Sequence, residues 1–575
     1  MDNNATPLTS LATREDLASP DMVDFVTRFG DAIRAEIPEH PNLRISTLLE
    51  GDFAVVYVPR DEIADLIRTI GPGLLTNLPI LMTLLGQPDL EASGILQVQQ
   101  QPYLDLRGQG VVIGFVDTGI DYTQPAFQYE NGTTKIQYIW DQTVEGTPPE
   151  AYPYGAEYTA EDINRALAAE APLAVVPHAD TVGHGTFLAS VAASHQEGEY
   201  IGAAPDAGII MVKLRGANAF HLEQYHISPD RENIFSSSDV MLGVEYIIDR
   251  ANQLGMPAAI CVGVGSNYGS HDGFNALDEY LAHISNQTGF AVCVAAGNEA
   301  LARHHAEGII QSTGESQDIE IQVEPGSTFM DVQLWNNGAD RMSVSVTSPA
   351  GEVVGRIPAR SGESTQVLLT TGGTVVTVRY FFPNPRNGGQ ITWLQIVDPT
   401  PGIWAVTVYG DSIVEGFYNA WLPITGIGDP GVRFLTPSPN VTITEPATAL
   451  GVLRVGAYST YGLRLYPDSS WGPTRLPLLA PDLCAPGVDV SGIYPGGPGT
   501  MTGTSVAAAI AAGACALMLQ WGIIRNNDPS INTFLIRAYF IRGCDRSPNI
   551  VYPNEQWGFG RLNLINTFTQ LRATP

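Results

Sequence analysis

Gly110-Val111-Val112-Ile113-Gly114-Phe115-Val116-Asp117 is a continuous apolar run closed by a carboxylate. Four further runs are likewise apolar through most of their length: AGIIMVKL over 207–214, AAICVGVG over 258–265, FAVCVAAG over 290–297 and VLRVGA over 452–457. Strands that are apolar at every position are buried on both faces, whereas strands with one wet face alternate. Helical patterns lie between the runs, as in SSDVMLGVEYIIDRAN over 237–252. Strands alternating with helices predict an α/β fold built on a doubly wound, mostly parallel sheet.

On both sides of this core the rhythm changes. Over 309–445 the strands are short and alternating, as in DIEIQVEPG, FMDVQLW, MSVSVTSPAG, VVTVRYFF and IWAVTVYG, with Gly, Pro and Asn between them. That pattern predicts a β-sandwich inserted within the α/β unit. Residues 1–100 read as a small α+β unit: a helix over 21–35, strands near Leu43–Thr47 and Phe53–Val58, and a second helix from near Asp61. The stretch ILQVQQQP over 95–102 is polar and uncharged, and is read as an extended, exposed linker. The expected division is therefore 1–100, 101–308, 309–445 and 446–575, the second and fourth segments forming one α/β domain.

Composition narrows the function classes. The chain has 575 residues, 44% hydrophobic and 15% charged, with a net charge of −31. A chain this acidic repels nucleic acid and anionic membrane surfaces. Lys135 and Lys213 are its only lysines. The cysteines Cys261, Cys293, Cys484, Cys515 and Cys544 are scattered through apolar stretches, which suggests buried thiols and neither a disulfide framework nor a zinc site. The N-terminal MDNNATPLTSLATREDL lacks a basic segment followed by an apolar one, so no secretory signal is read there. The small-apolar run Ser505–Leu519 is too short to be read as a membrane span.

Three short motifs carry candidate chemistry. Asp117-Thr118-Gly119 ends the first buried strand, the edge of an open α/β sheet where reactive groups gather. Asp-Thr-Gly also occurs in aspartic proteases, but that chemistry needs a second such carboxylate, and the chain has no second copy. Gly183-His184-Gly185-Thr186 opens an apolar helix with a histidine, a base suited to neutral pH. Gly503-Thr504-Ser505-Val506-Ala507 places a serine at the start of another packed helix, where its backbone N–H is left free to meet an oxyanion. Asn298, after the strand FAVCVAAG, is positioned to donate its amide to the same oxyanion. Alone, each motif reads as a turn cap, a structural histidine or a serine N-cap. Most of the other nine histidines, His304 and His305 included, are read as structural.

The order Asp, His, Asn, Ser within VDTGID, GHGT, AAGN and GTSVA resembles subtilisin-like serine proteases (subtilases). Ser470-Trp471-Gly472-Pro473-Thr474, Ala480–Gly487 and Ile201–Pro205 resemble flanking segments of that family, and the likeness covers roughly residues 105–308 and 446–570. A narrower resemblance, to the clostridial Csp germination proteases, rests on Gly269–Gly273, on Tyr552–Leu562 and on a β-rich insertion between Asn298 and Ser505 where that group carries a jelly roll. The resemblance implies a serine endopeptidase with Asp117, His184 and Ser505 as its triad, Asn298 at the oxyanion and Gly263, Val264 and Gly265 as the strand that binds substrate. It also implies a propeptide over about 1–100, and the extended, uncharged linker before the first strand predicts self-cleavage within Leu96–Gln101. Gly263-Val264-Gly265 stands where many subtilases have Ser-Leu-Gly. Calcium is common in the family, but the loop Ser194–Glu199 has oxygen donors without a convincing ligand pattern, so no metal or cofactor is assigned. The expected partners are a polypeptide substrate and the chain's own propeptide, with synthesis in the cytoplasm and association with spores. The competing readings are a catalytically silent regulatory member of the fold and a general intracellular degradative protease.

Overall fold

The structure is a computed structural model. It describes residues 88–572 apart from 153, 196–199 and 218, together with 22–28, 42–45, 53–63, 65 and 68 of the segment before them. The chain divides into two compact units, Met1–Leu85 and Gly86–Pro575.

In the first unit, β1 (Met22–Arg28), β2 (Arg44–Ile45) and β3 (Phe53–Pro59) form an antiparallel sheet in the order β1-β3-β2. The helix expected over 21–35 is thus a strand over its first residues, and 29–35 lie outside the described residues. Val23, Phe25 and Val26 fit either period, and pairing decides: Val23 lies opposite Val58 and Phe25 opposite Val56. Residues 63, 65 and 68 are helical, in line with the helix expected from near Asp61.

The segment expected to be an exposed linker is instead α1 (Ile95–Gln100), with Ile95, Val98 and Gln99 buried. Glutamines hid an i, i+3 apolar pair. The Gln99 side-chain amide donates to the carbonyls of Gly202 and Ala203 at 3.0 and 2.9 Å. The helix is therefore part of the second unit's core, and an extended chain is not available for cleavage within Leu96–Gln101.

That second unit is organised by a nine-stranded sheet. Its first strands are β4 (Val112–Asp117), β5 (Ile136–Asp141), β6 (Ala156–Thr159), β7 (Gly208–Lys213), β8 (Ala258–Val262) and β9 (Phe290–Ala295). After the insertion come β10 (Leu453–Ser459), β11 (Arg464–Leu465) and β12 (Leu483–Pro486). The order is β11-β10-β9-β8-β4-β7-β5-β6, with β12 also on β10. The neighbours from β10 to β5 run parallel, and β6 and β11 are antiparallel edges. Both faces are covered, as continuous apolar runs require. Ile113 and Phe115 enter one core with α2 (His184–Ala193). Val112 and Val116 enter the other with α3 (Ser237–Leu254).

The helix α4 (Thr504–Leu519) is buried at every position in the first of these cores. With the wider turn that follows, the helical stretch reaches Ile524. Its 21 residues are long and apolar enough to cross a membrane, longer than the sequence reading allowed, and 83% of its most apolar 18-residue window is buried inside the protein. All five cysteines are buried and free.

Between β9 and β10 two antiparallel sheets, of six and five strands, face each other across a single apolar core. One strand, Phe329–Asn336, is buried along its whole length although its sequence alternates. Met330, Val332 and Leu334 fill the sandwich core, while Trp335 on the opposite face packs with Trp421 and Val441. The Gly269 N–H reaches Gln333 at 3.3 Å, so this face lies against the α/β part. The two ends of the insertion meet, the Phe434 N–H donating to the Arg303 carbonyl at 3.0 Å.

Candidate active site

The parallel order brings the carboxyl ends of β4, β8 and β9 to one edge of the sheet, where open α/β sheets place reactive groups. Asp117 ends β4 and is 1% exposed. Its Oδ1 accepts from the Thr118 N–H at 2.8 Å. His184 is the first residue of α2, which starts abruptly because Asp180 collects its free donors. Asp180 accepts from the Gly183 and Thr186 N–H groups at 2.8 and 2.9 Å and from the Thr186 hydroxyl at 2.7 Å. Gly185 must be glycine, since a Cβ there would lie 2.2 Å from the Gly119 carbonyl oxygen and 3.1 Å from Asp117 Oδ1.

These elements complete a relay. His184 Nδ1 lies 2.8 and 2.9 Å from the two Asp117 oxygens. His184 Nε2 lies 3.2 Å from Ser505 Oγ. Burial disfavours the charged imidazole, but the charge and hydrogen bond of Asp117 and the charge of Asp180 outweigh it, so the His184 pKa is raised. With Nδ1–H given to Asp117, Nε2 is free to accept the Ser505 proton.

Asn298 follows β9. Its Oδ1 accepts from the Thr504 N–H at 3.0 Å and from the Thr504 hydroxyl at 3.1 Å. Those donors fix the amide, because only its oxygen can accept from a backbone N–H. The Nδ2 side is thereby turned to the space beside Ser505. A Cβ placed on Gly503 would sit 3.4 Å from Ser505 Oγ and 3.5 Å from Asn298 Nδ2, so both atoms border one small volume. Ser505 is the second residue of α4, where backbone N–H groups have no partner within the helix.

Gly263, Val264 and Gly265 continue β8 beyond its ladder with β4, which stops at Val262. They line a cavity of about 470 Å³ together with Asn298 and Ser505. Gly263 also packs under the relay, since a Cβ there would lie 3.2 Å from Asp117 Oδ2 and 3.4 Å from His184 Cε1. All seven residues singled out in the sequence therefore converge.

Other polar groups here went unread. His178 is buried, and its Nε2 accepts from the Ile120 N–H at 3.2 Å while its Nδ1 lies 2.6 Å from Asp141 Oδ2. This second Asp–His pair pins the turn after Asp117. Asp180 was legible as an acceptor four residues before the histidine. His271 and His305 pack on Trp421, and His304 binds Glu299, as structural histidines do. Among the described residues no group of three or more His, Cys, Asp or Glu side chains could hold a metal ion. Residues 196–199 of the loop weighed for calcium lie outside the described residues.

The sequence matches the subtilase family over residues 108–319 and 427–556. The structure of the Clostridium perfringens CspB protease superposes with a TM-score of 0.75 at 31% identity, covering 85% of this chain and 100% of that one. Two more distant structures also align. The prenylagaramide maturation protease PagA does so at a TM-score of 0.41 and 14% identity, over 83% of this chain and 98% of its own. The patellamide maturation protease PatA does so at 0.39 and 15%, over 81% and 98%. With the relay of Asp117, His184 and Ser505 beside an open cavity, and with this match over more than half its length, the chain belongs to the subtilase family of serine peptidases.

Proposed function

We propose that this protein is a self-processing serine endopeptidase in which Asp117, His184 and Ser505 are the triad. His184 takes the Ser505 proton through Nε2 while Asp117 holds the ring's tautomer and stabilises its charged form. Ser505 Oγ adds to the scissile carbonyl, and the oxyanion is met by the Asn298 Nδ2 group and the Ser505 backbone N–H. His184 returns the proton to the leaving amine. Water, deprotonated by the same histidine, then hydrolyses the acyl-enzyme. Substrate lies extended along Gly263–Gly265 and pairs through its backbone. The observation that carries this reading is the unbroken contact from Asp117 through His184 to Ser505.

The first unit acts as the propeptide in this reading. Because α1 is folded into the second unit, the cut is assigned to the neighbourhood of the division at Leu85–Gly86. The physiological reaction is limited proteolysis of another protein during spore germination, and the protein is spore-associated. Recovery in purified spores and a few discrete products from a folded substrate are expected. Uniform degradation of unfolded chains would favour a general degradative role.

Wild type and Ser505→Ala, expressed in parallel, test the core of the proposal by intact mass, N-terminal sequencing and fluorophosphonate labelling. Wild type is expected to be cut near residue 86 and labelled, and the variant to stay whole and unlabelled. A wild type that stays whole, resists the probe and cleaves no peptide overturns the reading in favour of a silent regulator.

A further inference from the structure

The insertion reaches the reaction site through one turn. Residues Ile424–Gly428 follow the strand Phe417–Trp421 of the sandwich. Ile424 and Thr425 line the cavity that contains Ser505, Asn298 and Gly263–Gly265. Ile427 lines a second cavity, also about 470 Å³, whose lining continues the same chain segment with Ser266, Tyr268 and Gly269. One turn therefore walls two cavities, and one stretch of the α/β part runs through both.

The turn is held from three sides. The N–H groups of Ile427 and Gly428 donate to the Ile424 carbonyl at 3.0 and 2.9 Å. Arg231 Nη1 donates to the carbonyls of Gly426, Ile427 and Gly428 at 3.2, 3.0 and 3.0 Å. The Thr425 N–H donates to Glu299 Oε1 at 3.1 Å. Glu299 follows Asn298 in sequence and is 2% exposed, and its Oε2 is taken by Asn267 Nδ2 at 2.9 Å and His304 Nδ1 at 2.7 Å. Oε1 thus ties the turn to the segment that carries Asn298, while Oε2 is held by Asn267 and His304. The other carboxyl lining the first cavity belongs to Asp468, which presents acceptors.

We infer that Ile424–Gly428 is a specificity loop through which the inserted sandwich reads the substrate, an inference that rests on the serine-peptidase reading. Ile424 and Thr425 limit the size of the side chain just before the cut bond. Asp468 favours an N–H-bearing side chain there, amide or cationic, over a carboxylate. Ile427 packs against an apolar side chain farther upstream on the same extended chain. A well-formed pocket of this size buries one large side chain and discriminates by shape and by its few polar groups.

The test uses the full chain with Ile424→Ala, Ile427→Ala and the milder Ile424→Val, none of which removes a backbone bond of the turn. Each is assayed for kcat and KM on peptides varied before the cut and upstream of it, after fluorophosphonate titration of active sites. Ile424→Ala is expected to raise kcat/KM for a bulky over a small side chain before the cut by about tenfold. Ile424→Val moves the ratio the same way by less, and Ile427→Ala changes only the upstream preference. Peptides ending in Gln, Lys and Glu separate amide, cation and carboxylate, with Glu expected to be worst. Labelled variants with the wild-type preference at both positions overturn the inference and leave the peptidase reading standing. A wild type that neither labels nor cleaves overturns both.

Discussion

Asn298→Asp separates the two tasks of Asn298. The wild-type amide accepts from the Thr504 backbone and hydroxyl with Oδ1 and turns Nδ2 toward the space beside Ser505 Oγ. Asn298→Asp keeps an oxygen where Thr504 needs one but sets a second, anionic oxygen where a donor stood. Removing one oxyanion donor costs about 10²–10³ in kcat, or roughly 2.7–4 kcal/mol, a figure measured in subtilisin. The charged variant should lose at least that much, because it adds repulsion to the missing bond. Asn298→Ala loses the donor alone in kcat, yet also leaves the buried Thr504 N–H without its acceptor, a stability cost of about 1–3 kcal/mol. Burst kinetics on an ester substrate give kcat for each variant, and denaturant melts of the Ser505→Ala background give stability without self-digestion. The expected order is wild type, Asn298→Ala, Asn298→Asp in kcat, but wild type, Asn298→Asp, Asn298→Ala in stability. An Asn298→Asp enzyme within threefold of wild-type kcat would sink the oxyanion assignment.

Further outcomes follow from the same geometry. The His184 pKa is raised above its usual 6.5, so kcat/KM should climb with pH through a midpoint above that value as the imidazole loses its proton. The same shift makes the Asp117–His184 pair most stabilising at acid pH, with that contribution lost as pH rises through the folded-state midpoint. Asp117→Asn should lower the midpoint and cut kcat by about 10⁴, and an unmoved midpoint would deny the coupling. Gly185→Ala drives a methyl against the Gly119 carbonyl and should cost about 1–3 kcal/mol in a melt together with most of the activity, whereas a wild-type melt would mean that the turn after Asp117 yields freely.

What could be read from the residues follows from locality. The runs at 110–117 and 290–297 announced buried parallel strands because their burial is two-sided and leaves no alternation. Asp117, His184, Asn298 and Ser505 were legible because each sits at an element's end beside glycines that permit close approach. Met22–Arg28 was misread because a short run without caps satisfies both periods, and the partner strand lies at Phe53–Pro59. Ile424, Thr425 and Glu299 escaped for a different reason. Nothing local marks a turn that becomes a cavity wall only when a strand from the sandwich folds back on Asn298's neighbour.

The meeting of the insertion's two ends at Arg303 and Phe434 has a consequence for how such a chain can arise and be rebuilt. A segment whose termini are a hydrogen bond apart can enter a surface loop without prying the host open, since the host's own path is hardly lengthened. Such a graft begins as a passenger. Here the Thr425 N–H bound to Glu299, the Leu422 carbonyl bound to Asn267 and the stacking of Trp421 on His271 bind it to the working edge of the sheet. Excision that joins the two ends with a short turn should therefore leave a host that can be closed in chain terms. Its catalytic loop, however, would lose the acceptors and donors it now shares, so the module is easy to acquire and hard to give back.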